Sequence, residues 1–223
     1  MKKYALFLSF GWILFSGILF QNCSKDDAGA SGPANLMFVN GLTDGKVSTV
    51  IIADSTIVAL TAGFGSFSAY NQIQNGSQSF KIRDNTTGNI VVSNNFNISG
   101  EKNYTLMATG NTLNPELVIQ EDNLTISDSS KGYIRLINLS SNSNQMTLSI
   151  TSGADLVSGV NYKSSSDFVS LSPNKYDLSI KSGATEFAKV TNFNLNANKK
   201  YSILVTGLVG QTPKASVNFI INK

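Results

Sequence analysis

Phe96-Asn-Ile-Ser-Gly-Glu-Lys-Asn-Tyr104-Thr-Leu-Met-Ala-Thr-Gly110 returns later in the chain as Phe193-Asn-Leu-Asn-Ala-Asn-Lys-Lys-Tyr201-Ser-Ile-Leu-Val-Thr-Gly207. Phe, Asn, Lys, Tyr, Thr and Gly keep their places at a displacement of 97 residues. In each copy an aliphatic residue, Ile98 or Leu195, precedes a turn, and a tyrosine then opens an apolar strand that ends in Thr-Gly. The order resembles a tyrosine corner of Greek-key sandwiches, in which the phenol hydroxyl bonds back to the backbone of the crossing loop. A buried tyrosine needs such a partner. Tyr104 and Tyr201 therefore read as structural fasteners of a duplicated β-domain rather than as a site.

The duplication extends upstream. Asn40 pairs with Asn138 at a displacement of 98, as do Val50 with Leu148, Ile52 with Ile150, Phe80 with Leu178 and Ile82 with Ile180. One residue was thus lost between the copies near mid-domain, and apolar character survives while polar neighbours drift. Period-two alternation, at Val50 and Ile52 or Leu178 and Ile180, marks strands. Turns fall at Thr43-Asp-Gly45, Gln74-Asn-Gly76, Ser152-Gly153 and Ser182-Gly183. The pattern predicts strands near 35–40, 48–54, 66–73, 78–84, 90–97, 103–110 and 116–121. Their repeats fall near 132–138, 146–151, 164–171, 175–181, 187–194, 200–207 and 215–221. Seven short strands in about 90 residues indicate an antiparallel, Ig-like β-sandwich, with a closed barrel as the alternative. The expected organisation is two tandem sandwiches at 34–122 and 132–223, joined by a linker at 123–131 in which Leu124 and Ile126 can dock.

Hydrophobic residues make up 41% of the 223 and charged ones only 14%. Ser, Thr, Asn and Gln carry the polarity instead, a balance suited to outward strand faces and turns. The formal charge of +3 falls to near +1 once Lys2 and Lys3 are set aside as signal residues. With no basic run, nucleic-acid binding is excluded. There are no histidines, which removes the commonest general base and imidazole ligand. The single cysteine, Cys23, can form neither an internal disulfide nor a thiolate cluster.

The N-terminus reads as an address. Met1-Lys2-Lys3 precedes an apolar run from Tyr4 to Phe20, as in a secretory signal peptide covering residues 1–22. An uncleaved anchor is the alternative, but 17 interrupted residues are short for a bilayer. Leu19-Phe20-Gln21-Asn22-Cys23 resembles the lipobox of bacterial lipoproteins, although Gln21 and Asn22 stand where small residues are usual. The resemblance implies acylation of Cys23. Lys25, Asp26 and Asp27 resemble the Lys-plus-acidic surface-export signal of some Gram-negative lipoproteins, which implies the outer face of the outer membrane. Residues 23–33 then form the acylated cysteine and a flexible tether, the ten residues from Ser24 to Pro33 spanning at most ~33 Å.

The strand pattern also resembles a known family, the domain of unknown function 4397 (DUF4397). Phe38-Val-Asn-Gly41 through Val50-Ile-Ile-Ala-Asp54 is similar to its opening hairpin, and Gly63-Phe-Gly-Ser-Phe-Ser-Ala-Tyr70 to its Tyr-centred middle. Ile98-Ser-Gly-Glu-Lys-Asn-Tyr104-Thr105 is close to its aliphatic-x-x-Gly-Lys-x-Tyr-Thr segment. The resemblance covers both copies and implies a secreted bacterial β-domain, often in tandem. It brings no catalytic residues. The family's His-Ala-Ser-Pro-Asp-Ala-Pro loop is replaced here by Asn40-Gly-Leu-Thr-Asp44 and Asn138-Leu-Ser-Ser-Asn142.

No constellation of catalytic chemistry follows from the residues. Glu101, Glu116, Glu121 and Glu186 are scattered in turns and at strand ends, where solvated carboxylates are the rule. No calcium-loop spacing occurs. No catalytic residue, metal or cofactor is therefore expected. Most aromatics pair across the repeat at apolar positions. Phe67 and Tyr133 do not, facing Ser164 and Asn35 at the equivalent positions, and are the expected exposed aromatics for a protein or glycan partner. Two functions remain open: a non-enzymatic surface lipoprotein for adhesion, display or envelope interaction, and a carbohydrate- or nutrient-binding accessory lipoprotein of an outer-membrane uptake system.

Overall fold

A computed structural model describes residues 32–44, 46–53 and 56–223, with the backbone alone at 56–59. Every regular element among them is a strand. The first copy contains β1 (Ala34–Asn40), β2 (Ser48–Ile52), β3 (Thr56–Ala62), β4 (Asn71–Ile73), β5 (Gly76–Asp84), β6 (Ile90–Ile98), β7 (Asn103–Asn111) and β8 (Asn114–Glu121). The second contains β9 (Gly132–Asn138), β10 (Met146–Ile150), β11 (Asp155–Val160), β12 (Ser164–Ser165), β13 (Val169–Leu171), β14 (Asn174–Ser182), β15 (Thr185–Leu195), β16 (Lys200–Thr206) and β17 (Ser216–Ile221).

Each copy is a two-sheet sandwich. In the first, the sheet β4-β1-β7-β8 covers β3-β2-β5-β6; in the second, β12-β9-β16-β17, with β13 also on β9, covers β11-β10-β14-β15. The chain passes from sheet to sheet in the same order in both. Leu36, Phe38, Val50, Phe80, Ile82 and Leu106 fill the first core. Ile134, Leu136, Leu148, Leu178, Ile180 and Ile203 fill the second. These are the apolar positions that recur across the repeat, so copied sequence has become copied packing.

The strand pattern differs from expectation in two ways. β3 and β11 are additional strands, each a hairpin partner of its predecessor. The expected long strands 66–73 and 164–171 are instead two short contacts with β1 or β9 around a break. The sheets are also not wholly antiparallel. β7 runs parallel to β1, with Leu36 opposite Tyr104, and β16 runs parallel to β9, with Ile134 opposite Tyr201. The turn before each tyrosine reverses the chain through left-handed backbone at the equivalent residues Glu101 and Asn198, at φ 60° and 58°.

Candidate functional site

Strands β1, β7, β9 and β16 are buried on both faces. Alternate residues of each point into their own sandwich, while the others point outward and meet the opposite copy. Met37, Val39 and Met107 of the first copy pack against Ile137, Leu139, Leu204 and Ile220 of the second. The two sandwiches therefore share an apolar seam. Four near-continuous apolar runs, from Leu36-Met-Phe-Val39 to Ser202-Ile-Leu-Val205, carry the sequence signal for it, because strands covered on both sides lose their alternation.

The seam has approximate two-fold symmetry. Thr109 meets Tyr162 at 3.0 Å, hydroxyl to hydroxyl. Its equivalent Thr206 lies against Gly65 of the first copy, in the loop that matches Tyr162-Lys163. Lys163 pairs with Glu116, and Gly65 faces the corresponding Ser216. Gly41 touches its own equivalent, Leu139, near the axis. Such reciprocal contact, i to j and j to i, is that of an isologous dimer interface held within one chain.

One end of the seam is polar. Asp122 follows β8 and Asn222 follows β17 at equivalent places, their N–H groups donating to Asn103 O and Lys200 O. Thr105 donates its hydroxyl to Asp122 Oδ2 at 2.6 Å, as Ser202 does to Asn222 Oδ1 at 2.6 Å. Two contacts between copies, Arg135 with Asp122 and Asn222 with Tyr70, and two within them complete the set. Arg135 Nη2 lies 2.6 Å from Asp122 Oδ1, and Tyr70 donates to Asp122 Oδ2 at 2.8 Å. Tyr70 also accepts from Asn222 Nδ2 at 3.2 Å, and Arg135 Nε donates to Ser202 Oγ at 2.7 Å. Burial first, and the charge of Asp122 second, hold the Tyr70 phenol well above the usual tyrosine range.

Two clefts open beside this network at symmetry-equivalent positions. The first, about 380 Å³, is lined by Met37, Phe67, Tyr70, Ile220 and Ile221. The second, about 450 Å³, is lined by Gln120, Tyr133, Arg135, Ser166, Phe168 and Lys200. Arg135 stands where the first cleft has Met37, Phe168 where it has Tyr70, and Gln120 where it has Ile220. One cleft is thus apolar and its twin is polar, with Arg135 and Lys200 balanced by Glu121 and Asp167 in its lining.

Of the residues singled out from sequence, Cys23, Lys25, Asp26 and Asp27 lie outside the described residues. The Tyr104 hydroxyl accepts from the Ser99 backbone N–H at 3.1 Å. That of Tyr201 accepts instead from the Asn196 side chain at 3.2 Å. Phe67 is 37% exposed at the mouth of the apolar cleft. It bridges to Val39 as Ser165 pairs with Ile137, so its equivalent is Ser165 rather than Ser164. Tyr133 was expected to be exposed and is not, being only 6% accessible. Its hydroxyl accepts from Asp128 N–H at 2.8 Å and meets Ser127 Oγ at 2.9 Å, so it fastens the linker to the second sandwich. Lys200 adds to this by donating to Asn123 O at 2.7 Å. Arg135 and Lys200 were not singled out, although a lone Arg inside Tyr133-Ile-Arg-Leu-Ile137 is itself a signal for a buried, paired charge. Among the described residues no group of three or more acidic or cysteine side chains could hold a metal ion.

Comparison with known proteins gives loose structural likenesses. The C-terminal domain of AlgF from P. aeruginosa is 22% identical, with a TM-score of 0.35, over 41% of this chain and 98% of that one. A family 26 carbohydrate-binding module from Eubacterium rectale, solved with maltoheptaose, is 13% identical with a TM-score of 0.27, over 83% and 96%. A candidate cell adhesion protein from Bacteroides uniformis is 9% identical with a TM-score of 0.26, over 85% and 98%. No curated protein matches the chain. The family model of the domain of unknown function DUF4397 matches residues 34–149, the first sandwich, the linker and the opening of the second. That match takes in more than half of the chain, which therefore belongs to the DUF4397 family.

Proposed function

We propose that the protein is a non-enzymatic lipoprotein of the Gram-negative outer membrane, anchored through Cys23 and carrying its two sandwiches on the cell surface as one rigid unit for adhesion or display. The seam is the observation that supports it most. An apolar face with a buried ion pair at one end resists hinge motion between the copies, which suits a module that must hold a surface at a fixed distance from its tether. Acyl chains on Cys23 would contribute roughly 0.8 kcal/mol per buried methylene, enough for stable anchoring when two or three are present.

The experiment is cellular. Cys23→Ala is expected to abolish incorporation of labelled palmitate. Deletion of Lys25 to Asp27 is expected to leave acylation intact and to remove protease accessibility on whole cells. Continued labelling of the Cys23 variant would overturn the anchor.

A second reading, a carbohydrate-binding accessory of an uptake system, is favoured by the two clefts at the seam. Phe67 offers a half-exposed aromatic at the mouth of one, and hydroxyl and amide groups line the other. A glycan array probed with the full chain tests it, and silence across the array would sink it.

A further inference from the structure

We infer that the polar cleft between the copies takes a carboxylate borne on a hydroxylated ligand, with the buried, carboxylate-free Lys200 as the residue that meets the charge. This deepens the carbohydrate-binding reading and rests on it for the nature of the ligand, though not for the charge.

Lys200 is only 3% exposed, yet it lines the cleft. Among the described residues its ammonium makes one hydrogen bond, to Asn123 O, and sits over the rings of Phe168 at 4.4 Å and Tyr133 at 5.0 Å. An ammonium has three protons to donate, and a buried cation without a carboxylate is costly. The neighbouring carboxylates are committed elsewhere. Asp122 is taken by Arg135, Thr105 and Tyr70, and Glu121 by Lys102 at 2.8 Å. Asp167 stands exposed at the rim. Burial, then the positive charges of Arg135 and Lys223, push Lys200 below the usual lysine range, and no acid counters them. Lys200 is therefore the one buried cation of the cleft that no carboxylate pairs, although Glu121 and Asp167 balance the two cations of the lining in number.

The twin cleft shows that packing does not demand this charge. At the places of Arg135, Lys200 and Tyr133 the first copy has Met37, Asn103 and Asn35, and the same seam closes over them. The charge is a feature of one cleft, added to a scaffold that is complete without it. One ammonium without a carboxylate partner, in a lining that also holds Glu121 and Asp167, matches a carboxylate better than a phosphate monoester, which carries nearly two negative charges at neutral pH. Gln120 supplies a donor and an acceptor for adjacent hydroxyls, the Ser166 hydroxyl, whose proton goes to Asp167 O, a remaining acceptor lone pair, and the volume is that of a small-ligand site.

The test is titration of the full chain, purified in detergent, with trigalacturonate, its methyl ester, neutral trigalactose and free citrate. Trigalacturonate is expected to bind at least tenfold more tightly than its ester, and Lys200→Gln to abolish that preference while Lys200→Arg keeps it. Citrate binding as well as trigalacturonate would support the anion site with a free acid as its source. Because Lys200→Gln could loosen the linker, the Lys200 side-chain resonance is followed in the unaltered protein. It should shift toward the protonated form at high pH when trigalacturonate is added. Equal binding of acid and ester with no shift at Lys200 overturns the inference while leaving carbohydrate binding standing. Failure of every saccharide and of citrate overturns both.

Discussion

Arg135 and Asp122 face each other across the seam at 2.6 Å, one from each sandwich, with side chains only 2% and 0% exposed. Their symmetry equivalents are Met37 and Asn222, which carry no charge. The copies have diverged into a charged pair here, as they have at Lys163 and Glu116, whose equivalents are Gly65 and Ser216. Removing one partner leaves the other buried and unpaired, which typically costs about 3–5 kcal/mol, whereas replacing both with neutral residues is often close to neutral. Asp122→Ala is thus expected to lower the urea midpoint sharply, and the double variant Arg135→Met with Asp122→Asn to recover most of the loss. A double variant as unstable as the single one would show that the pair does not act as a unit.

Asp84 gives an acid-side prediction. Partial burial acts to raise its pKa, but hydrogen bonds from Lys46 Nζ at 3.0 Å and Thr86 N–H at 2.7 Å prevail and hold it at about 2. The unfolded chain then binds the proton more readily than the folded one, so stability rises with pH through this window. The contribution is complete above the unfolded value of about 4 and is lost as pH falls toward 2. NMR of the Asp84 carboxyl carbon should give a midpoint near 2, and Asp84→Asn should flatten the stability profile between pH 4 and 2. An ordinary carboxylate midpoint would contradict the geometry.

The two tyrosines should not be equal. Tyr104→Phe removes the acceptor of a backbone N–H, at Ser99, which has no other partner among the described residues. Tyr201→Phe frees only the Asn196 side chain, which can turn to water. The first substitution is expected to cost about 1 kcal/mol or somewhat more, and the second less, within the usual range for one hydrogen bond. Paired urea melts check the order, and a larger loss at Tyr201 would reverse it.

The sandwich cores were legible because one face of each strand is always apolar, and Val50, Ile52, Phe80 and Ile82 announce that face by period two. β3 was not, since Thr56-Ile-Val-Ala-Leu-Thr-Ala62 lacks a clear alternation. Tyr133 was misread for a definable reason. Its equivalent is the polar Asn35, which suggested exposure, but the linker exists only once in the chain and only Tyr133 has it to cover. The seam belongs to neither copy alone, so comparing the copies with each other hides it. Duplicated residues such as Met107 and Leu204 look like ordinary core positions until the two faces meet.

The seam's axis supplies the last prediction. Gly41 and Leu139 are equivalents in contact, and a Cβ on Gly41 would lie 2.9 Å from Ala108 O and 3.0 Å from Leu139 Cδ1. Near a two-fold only one of the pair can carry a large side chain, because both point into the same space. Gly41→Ala is expected to destabilise by about 1–3 kcal/mol, the usual cost of overpacking. Leu139→Ala alone leaves a void in the seam and is destabilising as well. Combined, the two changes should cost less than their sum, since the shortened Leu139 makes room for the new methyl, though the approach to Ala108 O remains. A coupling of about 0.5 kcal/mol or more in the double-mutant cycle is expected. Strict additivity would mean that Gly41 and Leu139 do not share a site in solution, and that the two sandwiches do not meet through these strands.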